Sequence, residues 1–310
     1  MGETELVCTE LGREIDRLKG EGFRLDLIYP ADEPHTAVLS KDGDTVRVTS
    51  RPGEALAEKL PPFVPRFVLT RAGGGAGEGR AGMLYRDLIP GRLGGRYIAS
   101  HISIPEGGPV SDWVHYHRVR FQMIYVRKGW VRVVYEDQGG PFVMEAGDLV
   151  LQPPEIRHRV LESSPGLEVV EISCPAAHPT YADHDLELPN AIGEPSRRWS
   201  GQLFLMHVAE QTPWTPFADG EAQETKIADA TAGFAEVRTV RSEGQTLHFP
   251  AHDGELVFGF VLEGNATLER SRTQTLGPAD CFVVPPEEAF AITDASSDFR
   301  LLHVTTGKAD

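Results

Sequence analysis

Three histidines and one glutamine have types and spacing that suit a metal site. His115 and His117 lie two residues apart in the strand-like segment VHYHRV, so on a strand both imidazoles point to the same face. Gln122 follows five residues after His117, and His158 comes after the segment GDLVLQPPEIR. Three imidazoles and a carbonyl oxygen are enough to hold a divalent transition metal and leave coordination sites open. These four residues are therefore candidates for a metal site.

Short strands separated by turn residues must position this group. From Arg96 onward, strand-like segments recur at close intervals, a pattern typical of β-sandwiches and β-barrels. They run from YIASHISIP through WVHYHRV and MIYV to LEVVEIS. A polar connector rich in turn residues follows, and a second strand-rich region begins near Gln202. The sequence thus predicts two strand-rich regions.

The two strand-rich regions repeat each other. VRKGWVRV aligns with VLEGNATL, which sets Gly129 against Gly264 at an offset of 135 residues. GDLVLQPPEIRH aligns with ADCFVVPPEEAF, which sets Pro153 against Pro285 at an offset of 132. Only a small deletion separates the two offsets, so the chain is predicted to contain two homologous β-barrels in tandem.

The first half resembles the cupins. Their first motif is Gly-x5-His-x-His, then a Glu after three or four residues and a Gly six further on; their second is Gly-x5-Pro-x-Gly-x2-His-x3-Asn. Two positions depart from these motifs, because Gln122 replaces the usual Glu and Glu155 replaces the usual Gly. The resemblance is strong from Arg96 to Pro189 and weak in the C-terminal half. The matching positions are His115, His117, Gln122, Gly129, Gly147, Pro153 and His158.

The resemblance implies jelly-roll (cupin) barrels, so together with the repeat it predicts a mainly β chain of two tandem barrels; the residue pattern predicts a small N-terminal α+β extension that lies outside the resemblance. The expected domains are the extension (1–60), a linker with a flexible Gly-rich loop (61–95), a metal-binding barrel (96–190) and a degenerate barrel (191–310). Within the extension, residues 4–19 have apolar residues at helical spacing and end at Gly20, which predicts a helix before several short strands.

Carried over from the cupins, the metal ligands are His115, His117 and His158, with Gln122 at the fourth position. Gln122 needs a turn or bulge near residues 118–121 to reach the same face as His117, and the cupins have such a break. Its amide either binds the metal through oxygen or hydrogen-bonds a metal-bound water. No catalytic residue and no organic cofactor is assigned.

The uncharged amide of Gln122 affects which substrates the metal site favours. An amide does not titrate, so the site keeps the full dipositive charge of its metal on three neutral imidazoles, which favours an anionic bidentate substrate such as an enolate or a phenolate. Three-His cupins that cleave carbon–carbon bonds with O2, such as the gentisate and β-diketone dioxygenases, are similar in this respect. Fe(II) is the expected ion. The spacing also suits Mn, Ni, Co, Cu or Zn.

Three functions follow as hypotheses. The first is an Fe(II) dioxygenase-like oxidoreductase that cleaves or oxidises a small aromatic or dicarbonyl compound. The second is a non-oxidative isomerase, lyase or hydrolase that uses Zn, Ni or Mn as a Lewis acid. The third is a non-catalytic barrel that binds a small ligand.

The C-terminal repeat lacks the ligand set. The positions that match His115, Gln122 and His158 are Pro250, Val257 and Phe290, and only His252, opposite His117, is an imidazole. One imidazole does not hold a metal ion, so this barrel is predicted to be structural. Its apolar strand LVFGFVL suits an oligomer interface or a core between domains.

Other polar residues near the motifs are weaker candidates for the site. Strand alternation turns four arginines that flank the ligands outward, whereas Arg96, His101 and Glu162 are weaker candidates for the pocket. A polar group in the connector after the first barrel is read as solvated. The arginines are Arg118, Arg120, Arg157 and Arg159, and the connector group is His178, Tyr181, Asp183 and His184.

Composition limits the class of partner. The formal net charge of -16 disfavours nucleic acid and anionic membrane surfaces, which call for clustered Lys and Arg. Three widely spaced cysteines indicate reduced thiols, and no signal-peptide or membrane-spanning pattern occurs. We expect a cytoplasmic protein, a homodimer, that acts on a small molecule.

Overall fold

A computed structural model describes residues 3–54, 56, 59–78, 83–242 and 244–308 of the chain. Within these ranges the protein is mainly β, with two jelly-roll barrels preceded by a small α+β unit. None of the helices in these ranges has the length and apolar character needed to cross a bilayer. The elements of the N-terminal unit are β1 (Glu3–Val7), α1 (Leu11–Gly20), β2 (Arg24–Tyr29), β3 (Thr36–Lys41) and β4 (Asp44–Thr49).

The N-terminal helix is shorter than its periodicity predicts. Helix α1 begins at Leu11, and it buries Leu11 and Leu18 against the sheet of β2, β3 and β4. The helix prediction is wrong for residues 4–10, of which 4–7 belong to strand β1 and pair in parallel with β4. This pairing gives the backbone a hydrogen-bonded partner while Leu6 still packs against the same core. At Leu6 the periodic spacing therefore reflects packing against this core and not a helix.

The part of the chain that follows the N-terminal unit contains β5 and the strands of the first barrel. It ends with β18, after which residues 209–211 form a turn of 3₁₀ helix. The elements are β5 (Val68–Thr70), β6 (Gly77–Glu78), β7 (Leu84–Asp87), α2 (Arg92–Gly95), β8 (Ile98–Ile104), β9 (Gly108–Pro109), β10 (His115–His117), β11 (Phe121–Lys128), β12 (Trp130–Tyr135), β13 (Phe142–Glu145), β14 (Leu149–Leu151), β15 (His158–Ser163), β16 (Leu167–Cys174), β17 (Thr180–Ala182) and β18 (Leu205–His207).

The first barrel consists of two facing sheets. One has the order β17-β10-β15-β12-β13, and β17 also pairs with β2, so the N-terminal unit and the barrel share a continuous sheet. The other has the order β18-β14-β11-β16-β8-β7-β6. Apolar side chains from both sheets point into the space between them, as alternation along the strands requires.

The second barrel repeats this arrangement, except that β9 and β17 have no counterpart among the described strands. Its sheets have the orders β19-β20-β21-β28-β23-β26-β5 and β22-β27-β24-β25, which mirror those of the first barrel. The elements are β19 (Thr215–Phe217), β20 (Gly220–Glu224), α3 (Ile227–Ala230), β21 (Ala235–Arg241), β22 (Leu247–Phe249), β23 (Leu256–Glu263), β24 (Ala266–Glu269), β25 (Gln274–Leu276), β26 (Cys281–Val284), β27 (Phe290–Thr293) and β28 (Arg300–Thr306).

The two barrels exchange edge strands. Strand β5, which precedes the first barrel, pairs with β26 of the second, and β18, which precedes the second barrel, pairs with β14 of the first. The range 61–95, expected to be a linker, therefore contains β5, β6 and β7, because these backbones complete the sheets of both barrels. Of the expected flexible Gly-rich loop, residues 79–82 lie outside the described residues.

A shared apolar core joins the barrels. It contains Phe121 and Met123 of β11 together with Phe258 and Phe260 of β23, all fully buried. The segment LVFGFVL thus forms a core between domains, one of the two roles that its composition suggested. The expected homodimer remains a prediction.

Candidate metal centre

The three histidines of the two motifs meet inside the first barrel. His115 on β10 lies directly opposite His158 on β15 in the antiparallel register, and His117 follows two residues later on the same face. Each offers one imidazole nitrogen to a group in which all these atoms lie within 4.8 Å of one another. All three side chains are buried. Within the described part of the chain, no second group of three His, Cys, Asp or Glu residues has this geometry.

Backbone and hydroxyl oxygens fix the three rings. Carbonyl oxygens only accept hydrogen bonds, so His115 and His158 donate from Nδ1 and present the lone pair of Nε2. Such contacts set ring orientation in protein metal sites, and the donor set of three imidazoles fits a divalent transition metal. The contacts join His115 Nδ1 to the Trp113 carbonyl (2.7 Å), His117 Nδ1 to the Thr180 hydroxyl (3.2 Å) and His158 Nδ1 to the Ile156 carbonyl (3.0 Å).

Gln122 lines the same cavity as the three histidines. The chain leaves strand β10 after His117 and enters β11 of the opposite sheet at Phe121, which is the break that the spacing required. The Gln122 amide donates from Nε2 to Glu171 Oε1 at 2.8 Å. This hydrogen bond fixes which end of the amide carries the oxygen, so Oε1 is the atom that a metal or a metal-bound water could contact.

Glu171 is an ionisable residue of the cavity that the motifs did not reveal. It lies on β16 and accepts hydrogen bonds from Gln122 and from the Ser173 hydroxyl at 3.2 Å. Leu167 and Val169 have the same parity as Glu171 and also line the cavity. A carboxylate that replaces an apolar residue in the alternation of LEVVEIS was the signal in the sequence. The site therefore contains a group that can accept or donate a proton.

Gln152 is a second polar residue that the motifs did not indicate. Its Nε2 lies 2.9 Å from His158 Nε2 and donates to it, because His158 carries its hydrogen on Nδ1. A metal bound to His158 Nε2 would replace this hydrogen bond. The Gln152 side chain must then turn to another partner.

The rest of the cavity wall is apolar. The cavity has a volume of about 80 Å³, and its polar groups are confined to the histidines, Gln122, Gln152, Glu171 and the tyrosines. A ligand head group would lie at the histidines, and an apolar body would lie against the aliphatic side chains. Those apolar residues are Met83, Ile102, Ile104, Ile124, Val131, Val133, Met144, Val150, Val160, Leu167 and Val169.

The four arginines that flank the ligands lie outside the cavity lining, as strand alternation predicts. Arg118 pairs with Glu155 at 3.0 Å, and Arg157 pairs with Asp183 at 2.9 Å. Arg120 stacks on Phe234, where its guanidinium lies 4.6 Å from the ring centroid.

The three weaker candidates also lie outside the lining. Arg96 pairs with Glu255 at 3.3 Å, His101 pairs with Glu168 at 2.9 Å, and Glu162 pairs with Arg132 at 3.0 Å.

The connector group after the first barrel is not a solvated cluster throughout. His178 is buried, and its ring lies 5.3 Å from that of His117. Tyr181 lies on β17 and stacks on Tyr116. The prediction of a solvated loop is wrong at these two positions, because β17 fills the gap in the sheet between β2 and β10. Burial lowers the pKa of His178, which favours its neutral form.

The second barrel contains aromatic rings where the first has its ligands. Phe249 lies opposite Phe290 in the register of β22 and β27, so Phe249, and not Pro250, is the counterpart of His115. His252 matches His117, because its carbonyl accepts from Glu287 N as that of His117 accepts from Glu155 N. An extra residue between Phe249 and His252 explains the shifted position. His252 Nε2 donates to the Val284 carbonyl at 3.2 Å.

Comparison with known proteins agrees with this architecture. A family model described as a cupin domain matches residues 100–172. A search of curated protein sequences finds no significant match. Among solved structures, protein Ylba from E. coli superposes with a TM-score of 0.57 at 11% identity, covering 82% of this chain and 96% of that chain.

Two oxalate decarboxylases are also similar in structure. The enzyme from Lactobacillus farciminis, solved as a formate complex, has a TM-score of 0.52 at 13% identity and covers 83% of this chain and 88% of its own. A variant of the Bacillus subtilis enzyme has a TM-score of 0.54 at 12% identity, with coverages of 84% and 81%. At these identities the likeness concerns the fold. Residues 100–172 thus match a cupin domain, and the chain has the fold of two cupin-like barrels; within the described residues one barrel carries a three-histidine group and the other does not.

Proposed function

We propose that the first barrel is the active site of a metal-dependent enzyme, with His115, His117 and His158 as metal ligands and Gln122 beside them. The preferred reaction is an Fe(II)-dependent oxidation or cleavage of a small aromatic or dicarbonyl compound by O2. The observation that carries this proposal is that three imidazoles and a neutral amide line one cavity whose remaining wall is mainly aliphatic.

The ligand set and the cavity wall favour the same kind of substrate. Neutral ligands leave the charge of the metal for an enolate or phenolate, and the aliphatic wall accommodates an apolar ring or chain. A bound Fe(II) would supply redox chemistry with O2, whereas Zn(II), which has no redox chemistry, would supply Lewis acidity alone. The apolar wall keeps bulk water away from the reacting groups.

Glu171 is the residue that we assign to proton transfer. Its Oε1 is held by Gln122 and Ser173, which orients the carboxylate at the cavity wall. In this position it accepts the hydroxyl proton of an enol or phenol as the substrate enters. A positioned general base contributes roughly 10²–10⁴-fold to rate.

The same carboxylate favours a second candidate function. An acid–base group beside a Lewis-acidic ion is sufficient for a non-oxidative lyase, isomerase or hydrolase that uses Mn, Ni or Zn. Two of the similar structures are oxalate decarboxylases, which supports keeping this candidate. A third candidate, a barrel that only binds a small ligand, gains support if substrate panels give no turnover with any of these metals.

Metal content and oxygen consumption separate the candidates. The protein is purified without added metal for elemental analysis, reconstituted anaerobically with Fe(II), and assayed in an oxygen electrode with phenolic acids and β-diketones. Substrate-dependent O2 uptake that is lost in His158→Ala supports the oxidative function. No uptake across the panel by fully loaded protein contradicts it, and turnover without O2 in the Mn or Zn form supports the second function.

The role of Glu171 is tested in the same assay. We expect Glu171→Gln to bind metal with the stoichiometry of the wild type and to lower kcat by roughly 10²-fold. Ser173→Ala is the matched control, because it removes one hydrogen bond to Glu171 and keeps the carboxylate. Equal kcat values for Glu171→Gln and the wild type would contradict the assignment.

A further inference from the structure

A second, smaller cavity lies behind the metal centre. Its volume is about 40 Å³, and it borders the main cavity through His117, Glu171 and Tyr85, which line both. Asp32 of the N-terminal unit and His178 of the connector also line it. We call this cavity the rear compartment. It is assembled from three separate parts of the chain.

Two buried polar atoms of its wall are hydrogen-bond acceptors without a partner. His178 donates from Nδ1 to the Pro175 carbonyl at 2.9 Å, so its neutral ring presents Nε2 as an acceptor, and this atom is buried without a hydrogen-bond partner. Asp32 binds Arg92 through Oδ2, while its Oδ1 is buried and unpartnered. Buried polar atoms are normally satisfied, so two orphaned acceptors in one wall indicate a missing donor.

The charge of the wall points to a cation. Asp32 and Glu171 are two carboxylates, and Arg92 pairs with Asp32 at 2.5 Å. The contacts to Glu171 within the described residues come from the neutral donors Gln122 and Ser173. In the metal-free chain the half-buried Glu171 carboxylate therefore has no charged partner among these contacts, which favours a cation, and an anionic ligand would be repelled here.

We propose that the rear compartment binds a primary ammonium group of the substrate, through His178 Nε2, Asp32 Oδ1 and the Glu171 carboxylate. An ammonium has three N–H donors and no acceptor, which matches three acceptors in the wall. A water molecule needs about 10–15 Å³, so a cavity of about 40 Å³ accommodates a terminal amine and excludes a ring. The substrate class is thus a small compound with a metal-binding group at one end and an amine nearby; only the metal-binding part rests on the proposed function.

Methylammonium is a probe that tests the compartment without any metal. Isothermal titration of the metal-free full chain with methylammonium chloride should give saturable binding at one site. Tetramethylammonium, which has no N–H donor, should not bind. Asp32→Asn should weaken methylammonium binding about ten- to a hundred-fold, since hydrogen bonds to charged groups are the strong ones.

Control variants show whether methylammonium binds in the rear compartment. Asp26→Asn, at a half-buried carboxylate that pairs with His184, should bind methylammonium as the wild type does. His158→Ala should also bind it normally. His178→Gln gives a second variant of the compartment, in case Asp32→Asn does not fold. Equal affinity in wild type, Asp32→Asn and His178→Gln, or loss of binding only in His158→Ala, overturns the proposal.

The methylammonium titration and the turnover assay can fail independently, so they test the rear compartment and the proposed function separately. Methylammonium binding that depends on Asp32, in a protein without turnover, supports the compartment and contradicts the enzyme function. Turnover of substrates that lack an amine, together with no methylammonium binding, supports the enzyme and overturns the compartment.

Discussion

Phe249 and Phe290 stack with their ring centroids 4.4 Å apart, at the cross-strand position that His115 and His158 occupy in the first barrel. Two differences, Phe249 in place of His115 and Phe290 in place of His158, make an apolar contact where the first barrel has a polar pair. Phe282 adds a third ring next to Phe290, so aromatic side chains fill the interior of the second barrel. The duplicated scaffold thus holds a cavity in one copy and a packed core in the other.

The first prediction concerns metal stoichiometry. We expect the wild type to bind one divalent ion per chain and His117→Ala to bind none under the same conditions, because two imidazoles remain. His252→Ala is the matched control, since His252 is the counterpart of His117 in the second barrel. Elemental analysis after dialysis measures the ratio. Loss of metal in His252→Ala, or retention in His117→Ala, would contradict the ligand assignment.

The second prediction concerns Gln122. Gln122→Glu places a carboxylate beside Glu171, whose Oε1 now accepts from the Gln122 amide. A buried carboxylate at position 122 and the half-buried Glu171 carboxylate would repel each other, so metal-free Gln122→Glu should lose about 1–3 kcal/mol of unfolding free energy.

Added metal should restore part of this loss, because a dipositive ion offsets the repulsion. Urea unfolding with and without metal measures both effects. Gln274→Glu, near Arg71, serves as the control and should not be destabilised. The idea fails if metal-free Gln122→Glu is as stable as the wild type.

The third prediction concerns packing in the second barrel. A Cβ at Gly259 would lie 2.3 Å from Phe282 Cζ, and both residues are buried. Gly259→Ala should therefore destabilise the protein by about 1–3 kcal/mol through overpacking. Gly12→Ala is the control, because nothing lies within 4 Å of its Cβ and helix α1 gains from alanine. Thermal unfolding of both variants distinguishes a filled barrel from one with spare volume.

The fourth prediction concerns acid stability. Burial first, and then Arg238 and His252, lower the pKa of His303 from 6.5 to about 3. The unfolded chain binds a proton at this residue below pH 6.5 that the folded chain takes up only near pH 3. Folding stability should therefore fall as the pH drops through this window, by a few kcal/mol, at about 1.4 kcal/mol per pKa unit.

His303→Leu removes this contribution. Urea unfolding at several pH values between 7 and 3 should show a shallower loss of stability in the variant than in the wild type. Parallel curves for the two proteins would show that His303 does not titrate in this way.

Local spacing was sufficient to predict the histidines but not their neighbours. His115, His117 and His158 come from short motifs, and one break in the chain brings Gln122 to them. Glu171 reaches Gln122 from a strand 49 residues away, through the register of β11 with β16. Residue spacing carries no information on that register, so the acid–base group could not be assigned from the motifs.

The same limit applies to the rest of the fold. The repeat predicted two barrels, but the exchange depends on β5 and β18, two strands of three residues each that pair with strands distant in the sequence. Segments this short have no clear periodicity. The sequence around His178 and Tyr181 resembled a connector because β17 is equally short. Its neighbours in the sheet, β2 and β10, come from the N-terminal unit and from the first barrel.

The position of β17 also has a consequence for synthesis of the chain. Ile28 of β2 pairs with Thr180, which is made 152 residues later. At roughly 5–20 residues per second, β2 waits about 8–30 s for this partner. During that interval the outer edge of β2 has unpaired backbone groups that can pair with another strand. The nascent protein therefore carries an open sheet edge for as long as the ribosome is making the metal-binding barrel.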